Sequence, residues 1–165
     1  MNVTEDEFAE IVRDNEDRLR HLSRVYANRK GDEKDLFQEM LIQIWKSLPS
    51  FEGDAKLSTW IYRLAVNTAI SFVRKKQTRK EYGTKYRKDQ QENNTHYIDP
   101  SSQESTQLHE LYEAISELNA SEKAIITMYL EDFSYLEIAF VTDISENYVG
   151  VKLHRIKKKL SKKIG

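Results

Sequence analysis

The chain contains no cysteine, only two prolines and only five glycines among its 165 residues. Without cysteine there are no disulfides and no thiolate metal sites, which fits a reducing compartment. No window approaches eighteen consecutive apolar residues, and the N-terminus is acidic rather than a basic leader before an apolar core. A secretory signal or membrane insertion is therefore not expected, and the chain reads as cytoplasmic. No stretch alternates for long with period two, so a sheet is not expected either. His21, His96, His109 and His154 are scattered without metal-ligand spacing. There is no glycine-rich phosphate loop, nucleophile elbow or paired acid and base. The expectation is a protein that is not an enzyme, with no metal and no cofactor.

What the chain does have is charge, sorted by position. With 26 basic and 27 acidic residues its net charge is −1. Residues 1–17 hold seven acids and one arginine, whereas residues 74–88 hold eight basic residues and one acid, Glu81. Residues 106–144 hold eight acids and Lys123 alone among bases, and residues 145–165 reverse this with seven bases against Glu146. Segregation of this kind creates local fields that matter for partners more than the total does. A basic run is also compatible with a merely solvated face.

The apolar periods are helical. Thr4-Glu5-Asp6-Glu7 is a capping box that opens a first helix to about Asn28. Gly31-Asp32 breaks it, and Asp32 is placed to cap a second helix with Phe37, Met40, Leu41, Ile44 and Leu48 inward. Pro49 ends that helix. After the loop SFEGDAK, Ser58 or Thr59 begins a third helix to about Lys76, with Ile61, Ala65, Ala69 and Phe72 on one face. Residues 79–105 lose the apolar period and are rich in polar residues, which reads as a flexible linker. Leu108, Leu111, Ile115 and Leu118 restore a helical face, Ser121 is placed to cap the next helix, and Ser134-Tyr135-Leu136-Glu137 is a second capping box. The fold class expected is all-α: two small helical domains, 1–78 and 106–165, joined by that linker.

A short helix from Ser134 to Val141, the turn Thr142-Asp143-Ile144-Ser145 and a long basic helix form the layout of a helix-turn-helix. Asp143 stands where glycine is common, since aspartate tolerates the left-handed region. Val149, Leu153, Ile156 and Leu160 face inward by their spacing, leaving Asn147, Gly150, Val151, His154 and Lys158 on the open side. In such a motif the start of the second helix reaches base edges while later basic residues neutralise phosphates. The competing reading is an amphipathic terminal helix whose lysines suit the negative end of its dipole.

In the third helix, Trp60, Arg63, Asn67, Ser71 and Arg74 share one face. An aromatic, an amide and cations together are what a single-stranded nucleic-acid groove requires. Packing of Trp60 over the core at the helix start accounts equally well for that residue. Helix two carries a second stripe, Asp35, Gln38, Glu39, Ile42 and Trp45, which reads either as a protein-docking face or as part of a helix–helix core.

At these residues the sequence resembles a known family. DLFQEMLIQIWKSLPSFEGDAKLSTWIYRLAVNTAISFVRKK is similar to region 2 of the bacterial extracytoplasmic-function sigma factors, and YLEDFSYLEIAFVTDISENYVGVKLHRIKKKL is similar to their region 4. The resemblance implies that Asp35, Gln38, Glu39, Ile42 and Trp45 dock on core RNA polymerase at the clamp of its largest subunit, with a further contact at the flap. It implies that Lys56, Ser58, Trp60, Arg63, Asn67, Ser71, Arg74 and Lys75 capture the unpaired minus-ten strand. Asn147, Gly150, Val151, His154, Arg155, Lys158 and Lys159 would bind the minus-thirty-five duplex. Common members carry a basic residue where this chain has Gly150 and a small polar one at Val151, a departure that bears on base preference. Promoter DNA, core polymerase and an anti-sigma factor are the partners implied. The rival readings are a stand-alone helix-turn-helix regulator and a helical protein-interaction adaptor.

Overall fold

The computed structural model describes residues 2–27, 29–83 and 106–164. Among the described residues the regular structure is all helical: α1 (Glu5–Tyr26), α2 (Lys30–Ser47), a 3-10 turn at Leu48–Ser50, α3 (Leu57–Gly83), α4 (Thr106–Ser116), α5 (Ala120–Leu130), α6 (Tyr135–Thr142) and α7 (Glu146–Ile164). Of the expected linker, α3 itself takes up residues 79–83; the remainder lies outside the described residues.

The two capping boxes form as their sequences require. Thr4 Oγ1 accepts from the Glu7 amide at 3.2 Å and the Glu7 carboxylate accepts from the Thr4 amide at 3.2 Å. Ser134 and Glu137 repeat the exchange at 3.1 and 2.9 Å. Two other caps differ from expectation. Helix α2 starts at Lys30 with no side-chain cap, and Asp32 lies in its first turn, paired with Lys76 of α3. The distant lysine competes successfully for the carboxylate that a local reading assigns to a cap. Helix α5 is capped by Asn119, whose side chain accepts from the Glu122 amide at 2.9 Å, so Ser121 sits one residue inside the helix.

Aspartates end α5 and α6. Asp132 and Asp143 have φ of 64° and 58°. The Phe133 amide reaches back to Met128 O at 3.1 Å, and the Ile144 amide to Ala139 O at 3.3 Å. Each is a left-handed terminator of the type glycine usually supplies, closing the last carbonyls of its helix. The first throws Phe133 back against the body of the protein, and the second sets α7 at its turn to α6.

Helices α1–α3 pack on one another, as do α4–α7. Phe8 near the start of α1 meets Trp45 near the end of α2 at 5.0 Å between ring centroids, and Asp32 at the start of α2 meets Lys76 far along α3, so the successive helices run antiparallel. Met40, Ile44 and Leu48 are buried as expected, with Leu36 added, while Phe37 and Leu41 are half-buried. Val149, Leu153, Ile156 and Leu160 all face the interior.

The two helical domains also pack against each other. Helix α1 packs on α4 and α5, and α3 packs on α6, so one apolar cluster runs from Leu19 to Leu160. At the seam the Tyr62 and Phe133 rings lie 4.9 Å apart, the Arg18 guanidinium covers Phe133 at 4.4 Å, and Tyr26 Oη donates to Ala120 O at 2.5 Å. Tyr62 is fully buried and its hydroxyl has no hydrogen-bond partner among the described residues; burial pushes its ionisation well above the usual tyrosine range, with Tyr26 and Glu131 adding to the effect.

Two substitutions test the local terms. We predict that Ser134→Ala removes an N-cap bond and lowers stability by about 1 kcal/mol. Asp132→Gly should raise it by about 0.5–1 kcal/mol, because glycine enters the left-handed region without strain. Urea unfolding followed by circular dichroism measures both; equal midpoints for the two variants and the parent would show that neither terminus matters to stability.

Candidate recognition surfaces

The open side of α7 begins at Ser145, whose Oγ accepts from the Tyr148 amide at 3.1 Å and so fixes the first turn. Asn147, Val151, His154, Arg155 and Lys158 are exposed, Val151 at 45 %. These are apolar, amide, imidazole and cationic groups along one face, the mixture that base edges and phosphates take. Gly150 differs from the others. It is half-buried, and a Cβ there would lie 3.6 Å from the Tyr135 ring of α6, in ordinary contact. A methyl group fits there, so the packing of α6 on α7 does not itself require glycine.

The basic residues of α7 divide by partner. Lys159 Nζ donates to the buried Glu122 of α5 at 2.8 Å, and Lys163 pairs with Glu117. Lys157 donates to Tyr129 Oη at 2.9 Å and lies 4.1 Å from that ring's centre, a bond that raises its pKa. Arg155, Lys158 and Lys162 make no ion pair with any described residue. Much of the tail's charge therefore fastens α7 to α4 and α5, and the rest faces outward.

On α3 the expected face is split. Asn67, Ser71, Arg74 and Lys75 are exposed. Trp60 is half-buried, its ring 5.1 Å from Phe51 in the preceding loop. The Arg63 guanidinium lies 4.8 Å over the ring of Phe140 in α6, and Lys56 Nζ is 3.6 Å from Glu137 Oε1. Half-buried Ser58 lines a small pocket with Phe133 and Ser134.

On α2, Asp35 and Gln38 are exposed, Glu39 accepts from Gln43 Nε2 at 3.0 Å, and Ile42 and Trp45 stay 45 % and 43 % exposed. Two large apolar side chains left half in water on a helix already holding a full inward stripe mark an unsatisfied surface. The structure adds what the sequence did not show: a groove of about 640 Å³ between α2 and α3 that brings Asp35, Gln38, Glu39 and Ile42 beside Asn67, Ser71 and Lys75. It also adds Phe8, whose edge-on contact holds Trp45 in place. Only its position four residues after the Thr4 cap hinted at an apolar role.

An all-α chain ending in a helix-turn-helix with an exposed, partly basic second helix belongs to the nucleic-acid-binding class. Comparison with known proteins narrows this. Residues 11–79 match the family model of sigma-70 region 2, and residues 108–160 match that of sigma-70 region 4. The ECF RNA polymerase sigma-E factor of Haemophilus influenzae is 30 % identical over 144 residues, covering 82 % of this chain and 76 % of the relative. The ECF RNA polymerase sigma factor SigW of Bacillus subtilis is 26 % identical and covers 97 % of this chain and 90 % of its own length. The sigma factor RpoE of Bartonella quintana, solved with the anti-sigma factor NepR, superposes with a TM-score of 0.77 at 21 % identity over 95 % of this chain and 96 % of that one. CnrH, solved with the cytosolic domain of CnrY, gives 0.68 at 19 % identity over 96 % and 87 %. The chain belongs to the extracytoplasmic-function family of RNA polymerase sigma factors.

The partition of lysines on α7 makes a prediction. Lys159→Ala should lower stability by about 1–3 kcal/mol, because it leaves the buried Glu122 carboxylate without its donor. Lys158→Ala should leave stability within about 0.5 kcal/mol and lower the salt dependence of DNA association instead. Thermal unfolding with binding titrations at several salt concentrations separates the two; identical behaviour of the variants would contradict the division.

Proposed function

We propose that this chain is a promoter-specificity subunit that docks on core RNA polymerase through α2, holds the unpaired minus-ten strand along α3 and reads the minus-thirty-five duplex with α7. The α2 stripe of Asp35, Gln38, Glu39, Ile42 and Trp45 takes the clamp of the largest subunit, and the C-terminal unit makes the contact at the flap. Asn67, Ser71, Arg74 and Lys75 offer amide, hydroxyl and cationic groups to a single strand. Asn147, Val151 and His154 meet base edges, and Arg155 and Lys158 meet phosphates beyond them. The subunit works without catalysis of its own and in the cytoplasm; no described helix is long and apolar enough to cross a membrane. That solved neighbours are a sigma factor bound to the anti-sigma factor NepR and CnrH bound to the cytosolic domain of CnrY supports control of this chain by an anti-sigma factor.

The observation that carries the reading is the α2–α3 groove. It sets the half-exposed docking stripe directly against the free end of the strand-binding face, so polymerase bound on one wall would sit beside DNA on the other.

Run-off transcription with purified core polymerase on genomic fragments tests this, and initiation at discrete sites is expected. Gln38→Ala with Ile42→Ala should weaken core binding with an unchanged helical signal, and Asn67→Ala should change which minus-ten sequences open, by about 1–3 kcal/mol per lost base contact. Permanganate reactivity of promoter thymines reports opening. Tight binding to duplex operator without polymerase, together with no stimulation of transcription, would overturn the proposal in favour of a stand-alone regulator.

A further inference from the structure

A cavity of about 680 Å³ opens where the second half of α3 faces the turn between α4 and α5. Ile70, Val73 and Leu118 give it an apolar wall, and Lys123, Arg74 and Gln77 line it with donors. The one acid among the lining residues, Glu117, is paired with Lys163. Of the recognition residues described above, the cavity contains Arg74 alone.

Lys123 is the unusual member. It is the lone base of residues 106–144 and only 9 % exposed. Among the described residues no carboxylate and no hydrogen-bond acceptor meets its ammonium, and only the Tyr26 ring faces it, 5.6 Å from Nζ. It stands four residues after the Asn119 cap, near the positive end of α5, where a cation is disfavoured. Lys159 and Lys163 of α7, by contrast, each have a glutamate. A buried charge without a counter-charge is costly, and burial lowers the pKa of Lys123. The fold gains no ion pair from this ammonium, and a methionine would fill the same space without the desolvation.

The other donors point the same way. Arg74 and Gln77 lie one turn apart on α3, both are exposed, and neither side chain bonds to a described residue. Three donors from two helices thus converge on one cavity with no acceptor of the chain's own to satisfy them. Two cations and an amide suit the oxygens of a doubly charged phosphate better than a single carboxylate. The volume lies in the range of small-molecule sites, and the apolar wall offers a surface to an organic body.

We propose that this cavity binds a small phosphate-bearing anion, with Lys123 as its buried counter-charge and Arg74 and Gln77 as its outer donors. An anion seated there favours the charged form of the lysine that burial disfavours. The site would exist whether or not α7 reads DNA, so it stands apart from the promoter reading.

Calorimetric titration of the full chain with ADP, inorganic pyrophosphate and adenosine tests this. ADP or pyrophosphate should bind at one equivalent with submillimolar affinity, and adenosine should not bind. Tighter binding of ADP assigns an organic phosphate and equal binding an inorganic one, and either result supports the site. Lys123→Met should weaken binding by about tenfold or more, the loss of a charge-assisted bond, while Lys123→Arg should change it by about threefold or less. Lys162→Ala, which removes an exposed cation of α7, should leave binding unchanged and so exclude general attraction of anions to basic surface. The Lys123→Met variant should keep its helical signal and unfold at or above the parent's midpoint. If it unfolds instead, Arg74→Gln at its exposed position decides, with binding expected to fall by about fivefold or more. No binding of either phosphate at millimolar concentration overturns the site. So does equal binding by the parent and the folded Lys123→Met variant, unchanged binding by Arg74→Gln, or adenosine binding as tightly as ADP.

Discussion

The contact between Tyr62 and Phe133 is what makes two three- and four-helix units into one protein. Neither unit is large enough to bury much apolar surface alone, and small cores are marginal. With one ring from α3 set at a tilt against one ring from the α5–α6 turn, and α1 packed on α4 and α5, both cores join in a single cluster. The cost is visible at the same place: a tyrosine hydroxyl taken out of water with no partner among the described residues. An unsatisfied hydroxyl of this kind costs about 1–3 kcal/mol.

The same tension governs the recognition helices. An amphipathic helix has one apolar stripe and spends it on the core. Helix α3 buries Ile61, Tyr62, Ala65, Val66 and Ala69, and α7 buries Val149, Leu153, Ile156 and Leu160. Everything else each helix carries is available for recognition, but it must first survive the fold's own demands for charge. Buried Glu122 takes Lys159, Glu117 takes Lys163, and Tyr129 takes Lys157. Glu122 near the start of α5 suits the positive end of that helix, and its pairing anchors α7 across it. The lone base of the acidic stretch, Lys123, lies buried over the Tyr26 ring, where desolvation lowers its pKa. Charge that looks like a footprint for DNA is therefore partly a set of internal fastenings.

On α2 the balance falls the other way. Trp45 and Ile42 are left half in water although Phe8 packs against Trp45. The Phe8 ring meets Trp45 edge-on, which fixes the indole without hiding it. Rigid aromatic area that loses little entropy on binding is what a protein-docking surface uses.

Local chemistry accounts for the helices, their inward faces and the ends closed by residues three to five positions apart. Thr4 with Glu7 and Ser134 with Glu137 form bonds whose partners are close in the chain, and so does the left-handed stop at Asp143. Such terms need no knowledge of the rest of the fold, and the motifs of regions 2 and 4 were legible for the same reason. Where local choices faced distant competitors, the outcome depended on how the helices dock. Asp32 gave up its cap to Lys76, forty-four residues away, and Lys159 turned to Glu122 across the C-terminal unit. The groove between α2 and α3, and the covering of Arg63 by Phe140, depend on how helices dock. A hydrophobic period tells which face of a helix is buried, not which neighbour buries it, because apolar attraction is non-directional.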